Sequence, residues 1–438
     1  MLGYYLDLAL RSFRSARGLT ALMVLAIAMG IGASMTTLTV LRTLAADPIP
    51  GRSESLLRVQ LDVGPGRSYV PGKEPDEQLT RADAEDLMKA RRATRQAMMT
   101  GGGLAIEPGA DAPGAPKPFV VDARYTTADF FPMFATPFRF GSAWSAADDD
   151  AHAPVAVISR SLDDRLFGGA DPVGRTLRAS GGDYRIVGVL DDWQPVPYFF
   201  DPNVGRFRRT EDVFVPFTTS LDRKLSSNGS MRCWGDSSTV HPHDREAPCS
   251  WIQYWVELDT AEDRAAYLDY LRAYSDQQRA AGRLERPTNV RLRSVTEWLA
   301  YKRIVPEDVR LQVWLAFGFL AVCLVNTVGL LLAKCLRRAP EIGVRRALGA
   351  SKRQVFGQFV VEAGAVGVAG GAGGFALAAL GVWLIRLSAT TDHARFVHID
   401  AVTFGTTFAL ALAATVLAGL LPAWRACEVV PAAQLKSA

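Results

Sequence analysis

This 438-residue chain contains histidine, acidic and glycine-rich segments of the kinds found in active sites, but they form no recognisable catalytic motif. The segment GADPVGRT at 169–176 nearly matches the phosphate-binding loop G-x-x-x-x-G-K-[ST]. An arginine replaces its lysine, a proline lies inside it and no strand is expected before it, so the sequence predicts a turn. None of the five histidines lies in H-E-x-x-H or beside G-x-S-x-G. The acidic run at 148–150 could bind a cation weakly but is more typical of a solvated turn. We therefore predict a protein that is not an enzyme and has no cofactor or metal of its own.

A second chemical grouping is the pair Cys233 and Cys249, which 15 residues separate, with His241 and His243 between them. A metal site is one interpretation, although the spacing fits no strong zinc template. A disulfide is the favoured interpretation, because two thiols in an oxidising compartment pair. Closing a loop of this length contributes roughly 3 kcal/mol on the chain-entropy model. Unpaired thiols are the third alternative.

The strongest local signal is the segment PEIGVRRALGASKRQVF at 340–356. Pro340 suits the first turn of a helix, and Gly349 suits the position just after a helix ends. Ser351 and Gln354 form a capping box that begins a second helix. The sequence therefore predicts a rigid hairpin of a short basic helix, a tight turn and a second helix. Such a hairpin is typical of a contact that transmits force from a motor, and the alternative is a basic loop that binds anionic lipid headgroups.

Long stretches without any charged residue indicate that the chain spans a membrane. The membrane helices then position the cysteine pair and the hairpin described above. The hydrocarbon core of a bilayer is about 30 Å thick and needs about 20 apolar residues to span it as a helix. We therefore predict transmembrane helices rather than buried helices of a soluble core. The first is too long for the apolar region of a signal peptide. The four predicted spans are 18–44, 311–333, 363–385 and 401–424.

The third predicted span is rich in glycine. Gly367 with Gly371, and Gly370 with Gly374, form small-xxx-small pairs. Such pairs let the backbones of two membrane helices approach closely. Packing within the chain is favoured over packing between two chains.

Charge asymmetry predicts the orientation of these spans. The loop 334–362 has seven basic against two acidic residues, and the tail 425–438 is also net basic. Residues 1–17 are net basic too, and they form an amphipathic pattern typical of a helix in the membrane interface. Because basic loops stay in the cytoplasm, both termini and the loop 334–362 are expected there. The large block 45–310 and the short loop 386–400 are expected outside a bacterial inner membrane.

The block 45–310 has the pattern of a compact α+β domain inserted between the first two spans. Strands are expected at 56–63, 119–121, 154–159, 184–190, 251–258 and 290–292, with helices at 80–91, after 159 and at 260–281. Residues 195–250 contain several prolines and the two cysteines, and they are expected to form an insertion on this domain. From about residue 294 we expect a helical stalk that is continuous with the second span.

Several motifs together resemble the FtsX-like, MacB-type ABC transporter permeases. The segment PEIGVRRALGASKRQV resembles the cytoplasmic loop of that family, and LPAWRACEVVPAAQLKSA at 421–438 resembles its C-terminal signature. PVAVISRSLDDRLFGGADPVGRTL, followed by YRIVGVL, resembles its periplasmic core domain. With the opening YYLDLALRSFRSARG, the resemblance covers nearly the whole chain. The chain departs from the family at Phe140, Gly141 and Ser142, where Gly-Arg is frequent, and in the Pro-rich segment that carries the cysteines.

The resemblance implies a transport subunit that works with others. Two permease subunits, identical or paralogous, would pair above two separate ATPase subunits that bind the ATP. The expected role is efflux of antibiotics, peptides or other amphiphiles with a periplasmic adaptor and an outer-membrane channel. The alternatives are lipoprotein release, or an FtsX-like scaffold that acts on a periplasmic hydrolase without transport. Membrane lipids are expected partners and nucleic acid is not. The expected ATPase-coupling residues are Glu341, Gly343, Arg345, Arg346, Gly349, Ser351, Lys352 and Arg353.

Overall fold

The computed structural model describes residues 17–108, 117–235, 240–387 and 401–427. These residues form two compact units. Residues Ala46–Ile304 form the α/β unit, and the described residues up to Ala45 and from Val305 onward form the helical unit. The expected amphipathic helix (except Arg17), most of the loop 386–400 and the tail after Cys427 lie outside the described residues.

The elements are numbered along the chain. The helices are α1 (Arg17–Leu44), α2 (Arg81–Ala90), α3 (Phe130–Met133), α4 (Ala146–Asp150), α5 (Arg160–Phe167), α6 (Phe217–Asp222), α7 (Ala261–Ala280), α8 (Val295–Tyr301), α9 (Glu307–Arg337), α10 (Ala339–Ala347), α11 (Lys352–Leu387) and α12 (Ala401–Cys427). The strands are β1 (Leu56–Leu61), β2 (Leu79–Thr80), β3 (Arg95–Ile106), β4 (Phe119–Thr126), β5 (Phe138–Gly141), β6 (Val155–Ile158), β7 (Thr176–Ala179), β8 (Gly182–Leu190), β9 (Val213–Pro216), β10 (Ser227–Asn228), β11 (Arg232–Cys233), β12 (Cys249–Glu257) and β13 (Val290–Ser294).

Within the described residues, three helices of the helical unit are long and apolar enough to cross a membrane, namely α1, α9 and α11. They contain 28, 31 and 36 residues. At about 1.5 Å per residue, each is longer than the hydrocarbon core. The fourth span, expected at 401–424, falls in α12. The apolar stretch of that helix is Phe404–Leu417, which is shorter than the stretches in the other three helices. That fourth crossing stays a prediction.

Helix α1 is the centre of the helical unit, where it packs against both α9 and α11. Met23, Ile27 and Ile31 on α1 are buried against Leu320 of α9 and Val366 of α11. The Ser34 hydroxyl also donates a hydrogen bond of 3.1 Å to the carbonyl of Ala316 on α9. Helix α12 packs on α11 and α9. The three longest helices are therefore held together along α1.

The α/β unit is built on one mixed sheet, whose strands follow the order β13-β1-β12-β3-β4-β9-β6-β8-β5 in the described residues. Most neighbours are antiparallel, while β4 with β9 and β6 with β8 are parallel. Both faces of the sheet are buried. Leu57 and Val59 lie in one core, and Leu56 lies in a second core with Trp255 and Trp298. Because both faces are covered, β1 and β12 are buried at every residue rather than at alternate ones.

Strand β3 was not expected, because the glycines at 101–103 interrupt its apolar pattern. The structure places all three in the middle of the strand, paired with β4. A Cβ atom added to Gly102 would lie 2.4 Å from the ring of Tyr125. Glycine is therefore required by the close approach of a side chain on β4, and not by a turn.

Part of the segment expected as an insertion belongs to the body of the α/β unit. Strand β9 lies inside the sheet between β4 and β6. Tyr198, Phe199 and Phe200 are fully buried in the second core. The expectation of an insertion over the whole of 195–250 therefore differs from the structure, because its proline content concealed three consecutive buried aromatic residues.

The expected continuous stalk is corrected by the structure. Helix α8 ends at Tyr301, and α9 begins only at Glu307. Arg303 has a left-handed φ of 48°, which no helix can continue through. Pro306 disfavours a helical conformation at the preceding residue. The helix is thus interrupted between α8 and α9, before the second span.

Candidate functional site

The hairpin predicted from the sequence is formed by α10 and the first turns of α11. Pro340 lies in the first turn of α10, and Gly349 adopts a φ of 105° just after that helix. The Ser351 amide donates to Gln354 Oε1 at 2.8 Å, and the Gln354 amide donates to Ser351 Oγ at 3.3 Å. This is the reciprocal pair of a capping box. The turn therefore begins at a glycine in a left-handed conformation and ends at a cap made by two side chains.

Charged side chains fasten α10 to its neighbours. Glu341 lies 2.5 Å from Arg345 Nη2 and 3.4 Å from Arg338 Nε at the end of α9. Arg345 Nη1 also lies 3.4 Å from the side-chain oxygen of Gln358 on α11. Arg345 is therefore occupied in bracing the hairpin. The sequence pattern predicts only a contact with a partner for this residue.

Beneath the hairpin is a buried ion pair that sequence analysis missed. The side chains of Lys334 on α9 and Glu362 on α11 pair with each other and are 4% and 1% exposed. Lys334 Nζ also donates to the hydroxyl of Thr20 on α1 at 3.3 Å, and Arg338 lies 3.8 Å from Glu362. In the sequence, the charged residues at the ends of the apolar stretches indicate only the orientation of the spans in the membrane. The available signal was that each of the two residues directly adjoins an uncharged stretch of membrane-spanning length.

The outer surface of the hairpin is exposed and apolar as well as basic. Val344 and Leu348, one helical turn apart, are 53% and 83% exposed. Arg346 is partly buried and Gly343 is buried. The remaining predicted coupling residues are exposed, namely Glu341, Gly349, Ser351, Lys352 and Arg353. The surface of the hairpin thus combines exposed apolar side chains with basic ones.

The predicted packing glycines face two different helices of the same chain. A Cβ on Gly370 or Gly374 would lie 2.6 Å from a side-chain atom of Ile27 or Ile31 on α1. On the adjacent face of α11, a Cβ on Gly371 would lie 2.5 Å from the ring of Phe408. A Cβ on Gly367 would lie 3.0 Å from Thr415. The two small-xxx-small pairs thus allow α1 and α12 to approach adjacent faces of α11.

Cys233 and Cys249 lie opposite each other on β11 and β12 and are joined by a disulfide. Cysteines bonded in this way are not available as metal ligands. His243 Nε2 instead lies 2.9 Å from Ser227 Oγ, and burial lowers the pKa of this histidine. In the part of the chain that the structure describes, no three histidine, cysteine or acidic side chains are placed to hold a metal ion.

Two family models cover this arrangement. The model described as "MacB-like periplasmic core domain" matches residues 20–274, and that described as "FtsX-like permease C-terminal" matches residues 313–431. The chain belongs to the MacB- and FtsX-like family of ABC transporter permeases. The hairpin of this permease lies within the second match, and most of its α/β unit lies within the first.

Curated relatives of the permease include a macrolide export ATP-binding/permease protein MacB from Rhodospirillum rubrum, 26% identical over 446 residues. That alignment covers 99% of this chain and 60% of the relative. The pyoverdine export ATP-binding/permease protein PvdT of Pseudomonas aeruginosa is 24% identical, over 70% of this chain and 41% of the relative. The permease therefore spans roughly half the length of these relatives.

Among solved structures, the periplasmic region of MacB from Actinobacillus actinomycetemcomitans is similar to the permease with a TM-score of 0.36 and 14% sequence identity. The match covers 57% of this chain and 94% of that structure.

Proposed function

We propose that this chain is the permease subunit of an ABC exporter and couples ATP hydrolysis in an ATPase partner to movement of its α/β unit in the periplasm. The hairpin of α10 and α11 would dock on the ATPase in the cytoplasm. ATP would be bound by that partner, not by this chain. Two permease subunits would face each other in the inner membrane, with an adaptor and an outer-membrane channel completing the path.

The observation that carries this proposal is the buried connection between the hairpin and the membrane helices. Glu362 follows the hairpin on α11, and its partner Lys334 lies on α9 and bonds to Thr20 of α1. The chain enters the α/β unit from α1 and leaves it towards α9. Because polar contacts join all three helices at this level, a displacement of the hairpin reaches both segments that connect to the α/β unit.

We propose that the exporter carries amphiphiles out of the cell. Support comes from two relatives, which are named for macrolide and pyoverdine export. Both are named as ATP-binding/permease proteins, and residues 313–431 of this chain match the FtsX-like permease model. The basic character of 334–362 supports a cytoplasmic position for the hairpin.

The test is co-purification with the candidate ATPase, followed by measurement of ATP hydrolysis in nanodiscs with and without an amphiphilic substrate. Leu348→Asp is the informative variant, because this side chain is the most exposed apolar group of the hairpin and supports no packing. Arg345 is less suitable, since it braces α10. We expect Leu348→Asp to weaken co-purification by at least about tenfold, equivalent to about 1.4 kcal/mol.

The matched control is Val120→Asp, at a valine on β4 of the α/β unit that is 75% exposed, against 83% for Leu348. It adds the same charge away from the hairpin and should co-purify normally. Equal recovery of the ATPase with Leu348→Asp and Val120→Asp would refute docking through the hairpin.

A further inference from the structure

Helix α9 of the helical unit carries an exposed carboxamide at the depth of the bilayer core. Asn326 lies four residues beyond Val322, the middle residue of the uncharged stretch 311–333. At about 1.5 Å per residue it is about 6 Å from the middle of the span, and the hydrocarbon extends about 15 Å from its centre. The side chain is exposed and makes no hydrogen bond with any described residue. It therefore faces hydrocarbon unless a partner covers it.

The neighbouring residue shows how a polar group on this helix is satisfied without a partner. Thr327 is buried in the helical unit, and its hydroxyl donates to the carbonyl of Cys323 at 2.8 Å. A carboxamide has two N–H donors and an acceptor oxygen, and lipid tails offer neither donor nor acceptor. An exposed amide at this depth is therefore costly. Amides in membrane helices find their partners on neighbouring helices.

Asn326 belongs to a regular row of exposed residues along α9. Their spacings alternate between four and three residues, which is the repeat of two helices packed side by side. Ala316, Leu320 and Cys323, on another face of α9, are buried within the helical unit. The exposed row is thus separate from the face that holds α9 in its own chain. The members of this Asn326 row are Leu315, Phe319, Val322, Asn326, Gly329 and Ala333.

A glycine in the Asn326 row allows close approach of a second helix. Gly329 lies one helical turn after Asn326, and a Cβ added there would meet no atom within 4 Å in the structure as described. No packing within the chain requires glycine at this position, although glycine weakens a helix interior relative to alanine. A small residue on an exposed face lets a second backbone come near. The short side chain of Asn326 then reaches across to it.

A second copy of this chain has the complementary chemistry at the matching depth. Two copies inserted in the same direction place their α9 helices parallel about a two-fold axis normal to the membrane. In such a symmetric contact, residues near the axis meet their own counterparts. A carboxamide both donates and accepts, so two asparagines satisfy each other. A single asparagine in an apolar repeat also fixes the register and the number of helices.

We propose that the Asn326 row is the contact between two identical permease subunits, in which the carboxamide of Asn326 bonds to that of the partner subunit's Asn326. This inference rests on the proposed function in one respect, namely that two permease subunits pair in the membrane. It goes further by packing α9 against α9 and by making the second subunit a copy of this chain rather than a paralogue. It needs no ATPase, so its failure would leave docking through the hairpin intact.

Cysteine cross-linking of the full chain in membranes locates the contact. Val322→Cys puts a thiol in the Asn326 row. Ala321→Cys puts one at the same depth on an exposed face outside the row, and the chain without an added cysteine supplies the background. With copper phenanthroline as oxidant, we expect a disulfide-linked dimer of this chain from Val322→Cys and none above background from Ala321→Cys. Equal yields from the two variants, or linkage of Val322→Cys only to a chain of different mass, would overturn the proposal.

Two substitutions test the carboxamide itself. Asn326→Leu has a similar volume without donor or acceptor, and an exposed leucine in the span leaves the packing of the chain unchanged. Capture of a FLAG-tagged copy by a His-tagged copy, in detergent without ATPase, should fall about tenfold with this variant. Asn326→Gln keeps the carboxamide and should retain most of the capture. Ala321→Leu is the matched control outside the row and should pair normally. Equal capture by Asn326→Leu and Ala321→Leu would show that the carboxamide holds no second copy.

The hairpin variant separates this contact from the proposed coupling role. Leu348→Asp is expected to lose the ATPase and to keep full capture of a second copy. Loss of that capture with Leu348→Asp, together with full capture by Asn326→Leu, would place the contact at the hairpin and refute the Asn326 row. Loss of capture with Asn326→Leu alone supports the row whether or not the ATPase docks through Leu348.

Discussion

Lys334 and Glu362 pair inside the helical unit, on two helices that flank the hairpin, with both side chains at most 4% exposed. Charges removed from water in this way are costly unless they are paired. Ionisable groups in membrane helices that face the bundle interior frequently mark functional positions. The pair therefore joins α9 to α11 at the two ends of the hairpin.

Removing one member of this pair is expected to destabilise the helical unit strongly. Glu362→Gln removes the carboxylate that pairs with the buried ammonium of Lys334 and puts a neutral amide in its place, beside the Thr20 hydroxyl. The expected loss is about 3–5 kcal/mol, visible as a lower thermal unfolding midpoint in a fixed detergent. The double variant Lys334→Met with Glu362→Leu buries no charge and should recover most of that loss. A single variant as stable as the parent chain would contradict the burial of the pair.

Close helix packing predicts opposite effects for two glycines of α11. Gly374→Ala adds a Cβ 2.6 Å from Ile31, whereas Gly364→Ala adds one with no atom within 4 Å. We expect Gly374→Ala to destabilise by about 1–3 kcal/mol through overpacking. Gly364→Ala should stabilise by about 0.5–1 kcal/mol through helix propensity. Thermal unfolding of both variants measures the difference. Equal midpoints would show that α1 does not approach α11 at Gly374.

The orientation of the hairpin can be tested by labelling. Ala347 is exposed at the end of α10, and Val120 is exposed on β4. A membrane-impermeant maleimide applied to intact spheroplasts should label Val120→Cys and leave Ala347→Cys unlabelled until the membrane is opened. The parent chain supplies the background, since Cys323 and Cys335 are buried thiols. Labelling of Ala347→Cys in intact spheroplasts would contradict the proposed orientation and place the hairpin outside the cytoplasm.

Local patterns predicted much of the site. The capping box of Ser351 and Gln354 depends on residues three positions apart, so the chain alone specifies it. The Lys334–Glu362 pair joins residues 28 positions apart on separate helices. Nothing in a local pattern states which charges at the ends of two spans will meet. The coupling roles themselves stay a prediction.

The α/β unit shows the same division between local and distant contacts. Its regular strands follow from β-branched runs such as that of β6. Arg124 on β4 is fully buried between Asp201 and Glu211, at 2.9 and 2.6 Å. Both acids come from the segment that was expected to be an insertion. Its place in the body of the unit is set by a long-range ion pair and by packing, which periodicity does not reveal.

The disulfide predicts that replacing either of its cysteines lowers the stability of the α/β unit. Cys233→Ser and Cys249→Ser each open the same loop and should cost about 3 kcal/mol. Cys249 is buried and Cys233 is exposed, so Cys249→Ser carries an additional cost from its buried hydroxyl. The parent chain treated with reductant should unfold at the midpoint of Cys233→Ser. A parent chain that is insensitive to reductant, with Cys233→Ser unchanged, would show that the bond does not form.

Asp149 predicts a pH dependence in the α/β unit. Burial raises its pKa from 3.8 to about 7, and the nearby carboxylates of Asp150 and Asp129 act in the same direction. The folded chain therefore keeps a proton that the unfolded chain releases above about pH 4. Stability from this group is complete below that pH, falls as the pH rises towards 7, and is lost above it.

Hydrogen exchange of the segment 144–150, corrected for the intrinsic rate, should therefore be faster at pH 8 than at pH 5.5. Asp149→Asn cannot ionise and should flatten this dependence, while keeping an oxygen for Trp144 or Ala128. Asp148→Asn is the matched control, because hydrogen bonds from Ser145 lower the pKa of Asp148 below this window. It should weaken the cap of α4 at both pH values and leave the slope in place. If Asp149→Asn keeps the slope of the parent chain, the titrating group is not Asp149.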